Sequence, residues 1–255
     1  MNATIARILS IAVLLAGTAA MADEVEPFPP TGTYQTDKRG AIVVWGLNGS
    51  PQSAEQPYSI GLRDDVLRLE ARRGDRRKKP SEAKRPIERC EVAFGDNSFA
   101  FGKTYQIKFA VMFEPGPAST AKNDKFFQIH NVNDEGDAIL GPVFAMQLER
   151  EHMRMVVRWD AKRITTERVE DHWVFEDTAD IQRGRWYDFD IKIRFDPFGD
   201  GFVTVRRDGT EVVNYKGPLG YNDELPPYAK IGIYRETCPE MQARRYRALS
   251  ITQID

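Results

Sequence analysis

The sequence predicts an all-β fold, a sandwich or a barrel. Three observations carry that reading. Short runs of alternating apolar and polar residues recur along the chain, as half-buried strands require. Turn-forming clusters separate them, with Arg207-Asp208-Gly209-Thr210 the clearest hairpin signal. After residue 22 no stretch carries the period of an amphipathic helix.

Taken in order, residues 1–22 read as a secretory signal peptide. Arg7 precedes the apolar run Ile8 to Ala16, and an Ala-x-Ala end leads to cleavage after Ala22. The run is short for a membrane span, so no membrane association is expected after cleavage. Residues 23–255 are expected to form one domain. Residues 23–40, rich in Pro, Thr and Gly, are an extended lead-in. Ala41 to Trp45 is a short strand, Asn48-Gly49-Ser50-Pro51 a turn, Tyr58 to Leu62 a strand, and Val66 to Ala71 a strand. Residues 68–89 hold ten basic side chains against four acids. That segment reads either as a solvated loop or as a collector of polyanion. Tyr105 to Phe113 alternates cleanly. Phe144 to Leu148 and Met153 to Trp159 form a hairpin turning at Glu149 to His152. Tyr187 to Phe195 is a strand, Phe202 to Val205 and Glu211 to Val213 flank the Asp-Gly turn, and Tyr246 to Ile251 closes the chain.

Three further strands each pair an apolar face with a polar one. In Arg89-Cys90-Glu91-Val92, Arg89 and Glu91 share the polar face. In Phe127-Gln128-Ile129-His130 it carries Gln128 and His130. In Tyr228 to Arg235, Ala229, Ile231 and Ile233 face a core, while Tyr228, Lys230, Gly232 and Tyr234 face the other way. If these strands share a sheet, one surface gathers a candidate base, a candidate acid and groups able to neutralise a carboxylate.

Composition limits the alternatives. The 255 residues carry 36 Lys and Arg against 38 Asp and Glu, a net charge of −2. That balance argues against a dedicated nucleic-acid binder. Cys90 and Cys238 would reach an oxidising compartment, where a disulfide between them or two free thiols are both open. No His or carboxylate spacing marks a metal site. Asp196 and Asp200 form either a plain turn or a structural calcium loop.

The three polar-faced strands resemble, in order, the signature strands of the jelly-roll polysaccharide lyases: alginate lyases, glucuronan lyases and heparin lyase I-like enzymes. Arg89-Cys90-Glu91, Gln128-Ile129-His130 and Tyr228-Ala229-Lys230-Ile231-Gly232-Ile233-Tyr234 are the residues that carry the likeness. Ala229 stands where alginate lyases have Phe, Arg235-Glu236 replaces their Asn-Gln, and a second arginine after Arg89 is missing. The Ile-Gly-Ile-Tyr-Arg ending is more similar to the glucuronan and heparin lyase I-like branch. The resemblance implies a concanavalin A-like β-jelly-roll sandwich of two antiparallel sheets with a concave substrate groove. It implies a secreted or periplasmic, monomeric enzyme that cleaves an anionic, uronate-containing polysaccharide by β-elimination and requires no cofactor.

Under that resemblance Gln128 and Arg89 neutralise the uronate carboxylate. His130 or Tyr234 takes the C5 proton, and Tyr234 protonates the leaving oxygen. Lys230, Glu91, Tyr228 and Arg235 are the expected substrate contacts, with Lys230 alternatively tuning Tyr234 and Glu91 orienting Arg89. Two rivals share the fold: a glycoside hydrolase, which needs two carboxylates across the bond, and a non-catalytic sugar-binding domain, which needs no base and acid.

Overall fold

A computed structural model describes residues 41–255 except 83 and 84. The expected signal peptide and lead-in lie outside the described residues. Seventeen strands form among the described residues, in order: β1 Ile42–Val44, β2 Leu47–Gln52, β3 Ile60–Arg63, β4 Val66–Ala71, β5 Ile87–Phe94, β6 Thr104–Phe113, β7 Asp124–His130, β8 Phe144–Glu149, β9 His152–Val157, β10 Trp159–Asp160, β11 His172–Asp180, β12 Trp186–Arg194, β13 Phe202–Arg207, β14 Thr210–Lys216, β15 Gly220–Tyr221, β16 Tyr228–Glu236 and β17 Gln242–Gln253. An eight-stranded sheet runs β1-β2-β5-β16-β7-β8-β9-β11 and a seven-stranded sheet runs β14-β13-β12-β6-β17-β4-β3, with β10 and β15 a small parallel pair. Both large sheets are antiparallel throughout, a sandwich of the jelly-roll type. Among the described residues no helix is long and apolar enough to cross a membrane.

The strand alternation read from sequence becomes the core. On β6, Ile107, Phe109, Val111 and Phe113 turn inward; on β12, Phe189, Ile191 and Ile193 do so. Phe109 stacks on Phe127 of the opposite sheet with ring centroids 4.9 Å apart, and Phe113 meets Phe126 edge-on at 5.3 Å. Such burial of large aromatic surface is the main force holding the sheets together.

Two segments differ from the sequence expectation. Asn48-Gly49-Ser50-Pro51 is strand, not turn; the turn falls at Trp45 and Gly46, both at positive φ. Gly49 is needed there for space, because a Cβ would overlap Val92 Cγ1. Pro51 is tolerated because β1 pairs only with residues 47–49, leaving its nitrogen side without a ladder partner. The second segment is β11, an edge strand over a stretch that carried no clean alternation; its burial pattern is irregular and its register against β9 slips.

A bulge in β7 reshapes the polar face of the larger sheet. Phe126 and Phe127 are adjacent yet both fully buried, and the pairing with β8 skips a residue between Lys125 and Phe127. The slip turns Lys125 onto the polar face beside Gln128 and His130. The backbone groups it leaves unpaired are met from the other sheet. Tyr246 of β17 donates its hydroxyl to Phe126 O at 2.8 Å and accepts the Gly232 N–H at 3.1 Å. Arg244 donates to Lys125 O at 2.8 Å and Gly232 O at 2.6 Å, and pairs with Asp124 at 2.5 Å. Arg244 and Asp124 are essentially without solvent exposure.

Removing one partner of such a pair strands a buried charge. Arg244→Met is therefore expected to cost about 3–5 kcal/mol of stability. Urea unfolding would measure it, and a loss below roughly 1 kcal/mol would show that the bulge does not need this brace.

Candidate active site

The three polar-faced strands do lie side by side. β16 sits between β5 and β7, and the register sets rows across the sheet. Arg89, Tyr234 and Lys125 form one row; Lys230 pairs with Gln128; Tyr228 pairs with His130. Gly232 lies between the first two rows, opposite Glu91. Its φ is +135°, and a Cβ there would overlap Cys90 O and lie 2.7 Å from Glu91 Cα. Only glycine fits, and it leaves the middle of the face open.

Glu91 ties the set together. It is buried, with one oxygen accepting from Arg89 Nη1 at 2.7 Å and the other from the Gln128 amide. Arg89 also donates to Gln52 Oε1 at 2.9 Å and to Glu82 at 3.2 Å. Its guanidinium donors are thus engaged by protein acceptors, and its carbon lies 4.5 Å from the Tyr234 ring centroid. Lys125 Nζ lies 5.3 Å from the same centroid, and Arg85 Nη2 donates to Tyr234 Oη at 3.2 Å. Three cations therefore surround one phenol.

His130 Nδ1 stands 2.9 Å from Asn131 O. A carbonyl only accepts, so Nδ1 carries the proton and Nε2 keeps its lone pair. Burial, followed by the charge of Lys230, pushes the imidazole down to about 3. Lys230 is itself buried, is lowered by that burial, and lies 5.4 Å from the Tyr228 ring; no hydrogen bond joins it to Tyr234 among the described residues. Lys125, not Lys230, is the lysine beside Tyr234.

Arg89, Gln128, His130 and Tyr234 line one cleft of about 450 Å³. Its far wall comes from Ile139 to Pro142 and from Arg158 and Asp171. Arg158 is clamped there, donating to Asp171 Oδ1 and Pro142 O at 2.7 Å each. Ile139 stands 89% exposed on that wall.

Arg235 is not brought to the cleft. It follows Tyr234 and so points to the opposite side, where it is fully buried and bonded to Glu88 Oε2 at 2.8 Å. Strict alternation already places it there. Sequence reasoning also missed Lys125, Gln52, Glu82 and Arg85. The last two belong to the basic segment, whose loop is pinned by buried Asp75, Glu82 and Glu88 while Arg73, Lys78, Lys79 and Arg85 stay exposed.

Cys90 and Cys238 are both buried free thiols. Asp196 caps its own turn by accepting the Phe198 N–H at 2.7 Å. Among the described residues Asp134, Asp137 and Asp223 form a group whose carboxylate oxygens lie within 4.8 Å of one another. Two of the three already serve the protein: Asp134 holds Arg163 and the Glu224 N–H, and Asp137 accepts from the Asp134 and Thr165 N–H groups.

A family model described as polysaccharide lyase matches residues 67–251. The chain belongs to the polysaccharide lyase family. It is a carbon–oxygen lyase acting on polysaccharides. Solved structures share the fold. An endo-β-1,4-glucuronan lyase from the fungus Trichoderma reesei superposes with a TM-score of 0.60 at 11% identity, over 87% of this chain and 94% of that one. An alginate lyase of polysaccharide lyase family 7 gives 0.54 at 15% identity, over 79% and 85%. An alginate lyase from Pseudomonas aeruginosa gives 0.52 at 12%, over 79% and 88%. None of the curated proteins compared matches the chain.

The depressed imidazole yields a direct test. His130 is expected to stay neutral, with its proton on Nδ1, from pH 7 down to roughly pH 4. Long-range ¹H–¹⁵N spectra of the ring would follow it; a midpoint near the ordinary histidine value would overturn this expectation.

Proposed function

We propose that this lyase cleaves a uronate-containing polysaccharide by β-elimination, with Gln128, His130, Tyr234 and Arg89 as its chemical set. The observation that carries the reading is the gathering of these four residues in one cleft of a polysaccharide lyase. The substrate is an anion, and the cleft is rich in cations: Arg85, Arg89, Lys125, Arg158 and Arg168 all line it. The glucuronan and alginate lyases of like fold act on polyuronates by their own descriptions, which supports the same substrate class.

In the proposed reaction the C5 proton passes to His130 Nε2 or to Tyr234 Oη. The electrons of that C–H bond form a C4–C5 double bond, and the C4–O bond breaks. The leaving oxygen takes a proton from Tyr234 Oη. Negative charge builds on the carboxylate during proton removal, and the Gln128 amide donates to it. Arg89 acts from behind Tyr234. A neutral imidazole at working pH suits the base, and the phenol alone can serve both steps for the epimer that presents H5 and O4 on one side. Residues 1–22, read as a leader, support export to the periplasm or outside the cell, where the enzyme is proposed to act as a monomer.

Glycoside hydrolysis fits the site poorly. Among the described residues lining the cleft the only acid is Asp171, bonded to Arg158. Hydrolysis needs a pair of available carboxylates.

The test is incubation with a panel of polyuronates while following the ultraviolet absorbance of the new conjugated double bond. Wild-type protein is expected to generate it from at least one polymer. His130→Ala and Tyr234→Phe are each expected to lower kcat/KM by about 10²–10⁴-fold with unchanged melting behaviour. Full activity in both variants would remove them from the mechanism. Since every step is carried by side chains, we also expect activity to survive prior treatment with a chelator; loss that added calcium restores would assign the cation a role.

A further inference from the structure

In β-elimination the uronate carboxylate must be neutralised before its C5 proton becomes acidic enough to remove, and a cation does this better than an amide. Arg89, the cation expected from sequence, has most of its donors engaged by Glu91, Glu82 and Gln52. Arg158 is clamped to Asp171 and Pro142. Arg85, which donates to Tyr234 Oη, and Arg168 also line the cleft, but both are exposed and their charge is screened by solvent.

Lys125 differs. The bulge in β7 swings it onto the site face, three residues from Gln128 on the same strand and directly across from Tyr234. It lines the cleft and is buried. Its ammonium meets a neutral acceptor, Asn123 Oδ1 at 2.5 Å, and no carboxylate pairs with it among the described residues. An ammonium has three donors, so a ligand oxygen can still be bound. Gln128 and Lys125 flank the open space above Gly232 from the same side.

Resting on the proposed β-elimination, we propose that Lys125 is a further catalytic residue: its ammonium binds the uronate carboxylate together with Gln128 and neutralises it as the C5 proton leaves. Titratable and charged groups surround Lys125: Tyr234 on β16, Arg89 and Glu91 on β5, Arg158 and Asp171 across the cleft, and Asp124 from the core side of its own strand. Burial, then the repulsion of Arg158, lowers the ammonium to about 8. Below that pH the charge is present; as pH rises through it the charge is lost, and activity should fall with it.

The experiment is the pH profile of kcat/KM, which reports the free enzyme, for wild type, Lys125→Met and Lys125→Arg on the best polyuronate. Wild type is expected to lose activity above about pH 8. Lys125→Met should fall by about 10²–10³-fold at neutral pH and lose that alkaline limb. Lys125→Arg keeps its charge at all working pH values. It should retain more activity than the Met variant and carry the limb upward, which also covers the case in which Lys125→Met fails to fold. An unmoved limb in Lys125→Arg, or a Met variant within about threefold of wild type, overturns this role while leaving the β-elimination standing. A wild type that acts on no polyuronate overturns both.

Discussion

The ion pair between Arg244 and Asp124 is the interaction on which the site depends. It sits between the two sheets without solvent, where an unpaired charge would be very costly. Arg244 spends its remaining reach on two carbonyls, Lys125 O and Gly232 O, that the β7 bulge and its partner strand leave outside the regular ladder. Tyr246, two residues on and on the same inward face of β17, closes the remaining groups at Phe126 and Gly232. Burial pushes that phenol well above its usual range, so it stays a neutral donor and acceptor. The seven-stranded sheet, which contributes nothing to the cleft, thereby sets the backbone under it.

That backbone decides how charge is arranged above it. One buried carboxylate, Glu91, holds both Arg89 and Gln128. A second, Glu82, reaches in from the basic loop to the same arginine. These acids orient the cations and offset part of their mutual repulsion, so a positive cleft can be built from side chains that are themselves mostly buried. The excess that remains is aimed at the open space over Gly232. Under the proposed function a polyanion entering it would partner those cations, and the same field would favour charge developing on the reacting sugar.

Much of this is legible in the chain itself. Period-two alternation places Arg89, Glu91, Gln128, His130, Lys230 and Tyr234 on polar faces, and the rows seen in the sheet keep them there. The same rule places Arg235 on the core side, against its reading as a substrate contact. Where alternation fails, sequence reasoning fails with it. Lys125 has the parity of Phe127 and reads as inward-facing or as a strand end; only the extra residue in β7 turns it outward. A doublet of adjacent phenylalanines, Phe126-Phe127, is the one local sign that the period slips. Asn48 to Pro51 misled in the opposite way, because turn-forming residues can serve a strand when a glycine must clear a neighbour and a proline faces an unpaired side.

The amino-acid sequence by itself determined the strand-rich class, the faces of the regular strands and the kinship of three short motifs, since each depends on residues a few positions apart. It could not determine which strands become neighbours, the register between them, or which cations are already taken by acids from distant loops. Those depend on contacts between residues up to about 150 positions apart, such as Arg85 with Tyr234. Such contacts exist only once two sheets have packed and a buried arginine from one has propped the strand of the other.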